Sequence, residues 1–139
     1  MFRYGYRGVC DFKQGKSTMS TIMLVDDSAT ILLSISNILT KAGYAVEKAS
    51  NAAEGLTKFK GGVKVDLLIT DLNMPGMNGI EFIKAVRTLP NYKFMPILFL
   101  TTESQQSKRL EAKAAGASGW LVKPATADEL LGTIKLVIR

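Results

Sequence analysis

From Thr21 onward the chain alternates strictly between short apolar runs and longer segments whose apolar residues recur at helical spacing. The runs are Ile22-Met23-Leu24-Val25, Ala45 to Ala49, Leu67-Leu68-Ile69-Thr70, Pro96-Ile97-Leu98-Phe99-Leu100 and Trp120-Leu121-Val122. A short run with no polar alternation reads as a strand covered on both faces. Between them, Ala29 to Ala42 carries Ile31, Leu32, Ile35, Ile38 and Leu39 on one stripe, and Gly43 is expected to end it as a C-cap. Asn51 to Lys60, Ile80 to Thr88, Gln105 to Ala115 and Ala127 to Ile138 are the other predicted helices. The fourth has few large apolar residues, mainly Leu110, whereas the last has Leu130, Leu131, Ile134 and Val137. Such alternation implies a parallel sheet with helices on both faces, an α/β doubly wound fold.

Length and composition narrow the class. At 139 residues the chain suits one domain, and its 47% apolar content can fill a core. No apolar run approaches the roughly 18 residues a membrane helix needs. The opening Met1-Phe2-Arg3-Tyr4-Gly5-Tyr6-Arg7 lacks the apolar stretch of a signal peptide. A cytoplasmic protein without membrane insertion is expected. The single Cys10 has no partner for an internal disulfide. The chain has no histidine, which excludes a His-based zinc site, a Ser-His triad and a phosphohistidine of its own. The net charge is +6, and residues 1–18 hold half of it: Arg3, Arg7, Lys13 and Lys16 against Asp11. The remaining charge is scattered, as on a solvated surface, so no direct DNA binding is expected. Residues 1–18 show neither strand nor helix periodicity. They are expected to be a disordered extension or the product of an upstream start, with the domain spanning 19–139 from Met19.

In an open parallel sheet, ligands sit outside the carboxyl ends of the strands. Asp26 and Asp27 follow the first strand, Asp71 the third, Thr101 and Thr102 the fourth, and Lys123-Pro124 the fifth. Crowded carboxylates repel one another and persist where a cation holds them. Oxygen ligands without His or Cys favour a hard ion, and magnesium takes one or two carboxylates plus phosphate oxygens. Lys123 adds a compact positive charge and Thr101 a hydroxyl donor. These parts suit phosphoryl transfer, which needs positioning and charge neutralisation more than covalent chemistry. A carboxylate can be the nucleophile and form an aspartyl-phosphate. Asp71 is the candidate, because it ends the central strand and precedes a Gly/Pro-rich loop with room for a donor. Taken singly, each part has an ordinary role. Asp26-Asp27-Ser28 can cap a helix, Asp71 a turn, and Lys123 and Thr101 can be a surface and a strand-end residue. Their coincidence at successive strand ends carries the reading.

Two other classes fit less well. A flavin-binding module wants a Ser/Thr/Gly-rich phosphate loop after the first strand, where this chain is acidic. An aspartate-based phosphatase of the haloacid-dehalogenase type wants a second Asp two residues past the nucleophile, where this chain has Asn73.

The segments Leu24-Val25-Asp26-Asp27-Ser28, Asp71-Leu72-Asn73-Met74-Pro75-Gly76-Met77-Asn78-Gly79, Leu100-Thr101-Thr102 and Lys123-Pro124 together resemble the receiver domain of bacterial response regulators, and among these the single-domain chemotaxis regulators. The likeness runs from about Thr21 to Arg139. It implies a flavodoxin-like (βα)5 sheet of order 2-1-3-4-5. It implies that Asp71 accepts a phosphoryl group from a sensor histidine kinase. Asp26, Asp27, Asp71 and the backbone carbonyl of Asn73 would hold Mg2+. Thr101 and Lys123 would bond phosphoryl oxygens, and the Lys123–Pro124 bond would be cis. Trp120 stands where the family carries a switch aromatic, often Tyr, and would swing inward with Thr101. Asn73 and Glu103 stand at places that tune dephosphorylation. The output surface would be the face of the fourth helix, fifth strand and fifth helix, where Lys108, Arg109 and Lys113 lie. The resemblance thus implies a monomeric phospho-accepting switch rather than an enzyme in the ordinary sense. Its partners would be the kinase, a flagellar motor switch protein and a phosphatase. The alternative is a phosphorelay intermediate, or another stand-alone receiver, with a non-motor partner.

Overall fold

A computed structural model describes residues 20–138. The disordered extension expected over residues 1–18 lies outside the described residues. Five parallel strands alternate with five α-helices: β1 Thr21–Val25, α1 Ala29–Lys41, β2 Ala45–Ala49, α2 Ala52–Lys60, β3 Leu67–Thr70, α3 Gly79–Arg87, β4 Ile97–Thr101, α4 Gln106–Ala114, β5 Gly119–Val122 and α5 Ala127–Val137. The sheet order is β2-β1-β3-β4-β5, which is the flavodoxin-like 2-1-3-4-5 topology. The chain reverses direction of winding between β1 and β3, so their carboxyl ends flank the crevice where such folds bind ligands.

The apolar runs do what their lack of alternation predicts. Met23, Val25, Leu68, Ile97 and Phe99 face a core shared with Phe59 of α2, Phe82, Ile83 and Val86 of α3, and Ala112 of α4. Ile22, Leu24, Leu67, Ile69, Leu98 and Leu100 face the other way, onto Ile35 and Leu39 of α1 and Leu130 and Ile134 of α5. Successive strand residues point to opposite faces, so both faces must be apolar when helices cover both. The edge strands β2 and β5 are only partly buried, and their sequences are correspondingly more mixed.

Helix starts follow side-chain capping. Ser28, Asn51, Asn78 and Thr126 each accept a backbone N–H of the first turn, and Asn78 with Glu81 and Thr126 with Glu129 close reciprocal capping boxes. Ser28 therefore does the capping at α1, which leaves Asp26 and Asp27 for other work. The end of α1 differs by one residue from expectation. Ala42 is the C-cap, and Gly43 lies just beyond it at φ 99°, the left-handed position a glycine takes without strain. Gly43 N–H bonds Thr40 O and Tyr44 N–H bonds Leu39 O, which closes a Schellman turn.

One helix is not announced by apolar periodicity, the 3-10 turn Pro90–Tyr92 after α3. It matters to packing. Tyr92 is buried, and its hydroxyl donates to Val63 O at 2.6 Å. Arg87 donates to Tyr92 O at 2.8 Å and Gly116 O at 2.6 Å, tying α3 to the turn before β5. In α4, Leu110 is 58% exposed and Ala112 is the buried contact. The helix thus packs through a smaller residue than its sequence suggests.

Candidate functional site

The site is assembled by strand register. Val25 pairs with Thr70, so Asp26 and Asp71 emerge level with each other on adjacent central strands. Asp71 N–H donates to Val25 O at 3.0 Å, and Lys123 N–H donates to Thr101 O at 2.8 Å. These bonds extend the ladders just past the strand ends and hold the polar residues there.

Asp26, Asp71 and Thr101 are buried, whereas Asp27 is exposed. One carboxylate oxygen from each of Asp26, Asp27 and Asp71 lies within 4.8 Å of the others. The buried carboxylates are not left uncompensated. Lys123 Nζ donates to Asp26 Oδ2 at 2.7 Å and to Asp71 Oδ2 at 3.3 Å. Asp26 Oδ1 accepts the Ser28 N–H at 2.9 Å. Asp71 Oδ1 accepts the Leu72 N–H at 2.7 Å and, more weakly, the Asn73 N–H at 3.4 Å. These main-chain donors were invisible in the sequence, since any residue type supplies an N–H. Burial pulls the Lys123 ammonium down, but the Asp26 hydrogen bond and the charges of Asp26 and Asp71 outweigh it and leave its pKa raised. One ammonium between two carboxylates leaves the site net negative, and Asp27 adds a further charge at its mouth. An all-oxygen donor set with an open side fits a hard divalent cation.

The loop after β3 folds back over its own start. Gly79 N–H donates to Leu72 O at 2.8 Å. A Cβ on Gly79 would run into the Asp71 carbonyl oxygen, Phe99 Cε1 at 2.7 Å and Leu72 Cα at 2.9 Å. Gly79 is thus required for close approach, and its absence of a side chain lets α3 start against the backbone of Asp71. Asn73, in this loop, is exposed.

Thr101 and Trp120 lie on neighbouring strands, linked through Glu103. Glu103 N–H donates to Thr101 Oγ1 at 3.2 Å, and Trp120 Nε1–H donates to Glu103 O at 3.1 Å. The Lys123–Pro124 peptide bond is cis. Thr102, beside Thr101 in sequence, is exposed. Arg109 is placed over the Trp120 ring, 5.9 Å from its centroid, a contact the sequence spacing alone does not identify.

The model of the response regulator receiver domain matches residues 22–135. Chemotaxis protein CheY1 of Helicobacter pylori is 36% identical over 118 residues, covering 84% of this chain and 95% of that protein. Chemotaxis protein CheY of Pseudomonas aeruginosa is 37% identical over 117 residues, covering 84% and 94%. Among solved structures, the chemotaxis protein CheY4 of Vibrio cholerae superposes with a TM-score of 0.84 at 47% identity, covering 87% of this chain and all of that one. A CheY-like receiver domain protein from Methanospirillum hungatei gives 0.80 at 31% identity, covering 86% and 93%. With the fold, the acidic site and these relatives in agreement, the chain belongs to the response regulator receiver family.

Proposed function

We propose that this receiver takes a phosphoryl group from a histidine kinase on Asp71 in a magnesium-dependent reaction and then presents its α4–β5–α5 face to a chemotaxis partner. Receiver domains act as phospho-accepting switches, and the relatives named as chemotaxis proteins support the pathway. The observation that carries the reading is the pair of buried carboxylates, Asp26 and Asp71, sharing Lys123 beside an exposed Asp27. In this reading Asp26, Asp27, Asp71 and the Asn73 carbonyl hold the ion. When bound, magnesium neutralises charge on the incoming phosphoryl oxygens.

The protein's own groups do the rest. Leu72 N–H orients the Asp71 carboxylate through Oδ1 and leaves Oδ2 as the nucleophilic oxygen. An Asp71 oxygen forms a bond to phosphorus as the phosphorus–nitrogen bond of the donor phosphohistidine breaks, and the imidazole, already protonated on its other ring nitrogen, takes the bonding pair and leaves neutral. Lys123 passes from Asp71 Oδ2 to a phosphoryl oxygen, and Thr101 donates its hydroxyl to another. Intact-mass measurement after incubation with acetyl phosphate and magnesium tests this. A single phosphate adduct is expected on the wild type and none on Asp71→Asn; an adduct that survives that substitution refutes the assignment.

Asn73 and Glu103 tune the lifetime of the acyl phosphate in this reading, toward fast hydrolysis. Decay of the adduct within minutes is expected after the donor is removed, and persistence for hours would count against it. The protein acts as a cytoplasmic monomer in this reading. No helix among the described residues is long and apolar enough to cross a membrane. Pull-down with the beryllofluoride-loaded protein separates a flagellar motor switch partner from a phosphorelay partner.

A further inference from the structure

The indole of Trp120 is held from three sides. Its Nε1–H donates to Glu103 O at 3.1 Å. Its ring lies 5.3 Å from that of Phe99, tilted by 40°. The Arg109 guanidinium stands 5.9 Å from the ring centroid. Glu103 also gives its amide to Thr101 Oγ1 at 3.2 Å. One residue's main chain therefore bridges the hydroxyl at the candidate phosphoryl site and the ring. A cavity of about 190 Å³ opens beside that ring, with Arg109, Ala112, Lys113 and Gly119 among its walls.

Unequal anchoring decides which part yields. Trp120 sits within β5, and strand register fixes Phe99 opposite it. Turning the ring outward gives up the indole hydrogen bond, the cation–π contact and the Phe99 packing together. By contrast, α4 buries only Ala112, its one further tie described above is the exposed Arg109 over the ring, and Gln105 at its start offers no side-chain cap. A thinly anchored, uncapped helix moves more cheaply than a triply held ring.

We propose that Arg109 is a positioning residue that clamps Trp120 inward in both signalling states, so that phosphorylation is transmitted by movement of the Glu103 main chain and α4 rather than by rotation of the ring. This rests on the phospho-accepting reading above. As Thr101 turns its hydroxyl toward a phosphoryl oxygen, the Glu103 amide follows its acceptor. The indole holds the Glu103 carbonyl, so the displacement passes into Ser104, Gln105 and the first turn of α4. Arg109 slides across the ring face, a motion that a cation–π contact tolerates better than a hydrogen bond does. The cavity between Arg109, Lys113 and Trp120 changes its walls while keeping its floor.

Trp120 is the chain's one tryptophan, so its indole N–H gives a single resonance and fluorescence reports a single site. The probe is magnesium with beryllofluoride on the full chain. Fluorine NMR follows the adduct itself, with Asp71→Asn as the blank. With the adduct formed, the indole N–H is expected to stay protected from exchange, and acrylamide quenching to stay near its starting value. Arg109→Ala is expected to raise quenching by about two- to fivefold in both states, the equilibrium change a surface cation–π contact corresponds to. Arg109→Lys is expected to restore most of the protection. If the adduct forms and wild-type quenching rises severalfold, or Arg109→Ala changes nothing, the proposal is overturned and the phospho-accepting reading stands. If no adduct forms, that reading fails and the proposal falls with it.

Discussion

Lys123 reaches across 97 residues of sequence to neutralise Asp26, and its bond there is the shorter of its two ion pairs at the site. Breaking a buried ion pair from one side leaves an uncompensated charge. In chelator at neutral pH, Lys123→Met is therefore expected to destabilise the fold by about 2–4 kcal/mol in urea melts. The pH dependence follows from the raised Lys123 pKa. A raised cation pKa stabilises the native state fully below the unfolded lysine value of about 10.4, and the gain fades as pH rises through the higher folded value. Wild type and Lys123→Met should thus converge in stability above that range. A gap that stays constant up to strongly alkaline pH would mean that packing, not charge, is what Lys123 supplies.

The elements meet at the site because α3 begins directly against the backbone of Asp71, and only a glycine at position 79 permits that approach. Gly79→Ala forces either the helix start or the Asp71 peptide to move. Overpacking of this kind destabilises by about 1–3 kcal/mol. The variant is expected to lose that much in denaturant melts and also to slow adduct formation from acetyl phosphate. Full phosphorylation at the wild-type rate would show that the loop relaxes without disturbing Asp71. The docking of α4 is likewise a matter of close approach. Its sequence offers Leu110 as the large apolar residue, but the helix turns that side chain to solvent and docks through Ala112. A helix attached through an alanine and the nearby Trp120–Arg109 contact is suited to shifting.

Across the whole molecule, folding concentrates negative charge at one edge of a chain whose overall charge is +6. A ligand that binds only the native state stabilises it by mass action. Magnesium at ten times its dissociation constant is expected to add about 1.4 kcal/mol to unfolding of the wild type. Asp27→Ala removes an exposed carboxylate from the cluster. It should abolish most of that increment while leaving stability in chelator nearly unchanged. Thermal melts with and without magnesium check this, and an equal increment in both proteins would remove Asp27 from the ion's ligands.

The order of elements, the burial of β1, β3 and β4 on both faces, and the gathering of Asp26, Asp71, Thr101 and Lys123 at strand ends were legible in the linear pattern. Period, run length and turn chemistry are local properties, and the parallel topology converts strand ends into neighbours. The backbone amides on Asp71, the Gly79 contact, the Arg87 ties to Tyr92 and Gly116, and the Thr101–Glu103–Trp120–Arg109 chain were decided only by tertiary structure. Each depends on main-chain groups that no residue type announces, or on side chains brought together by the register of strands and the docking of helices.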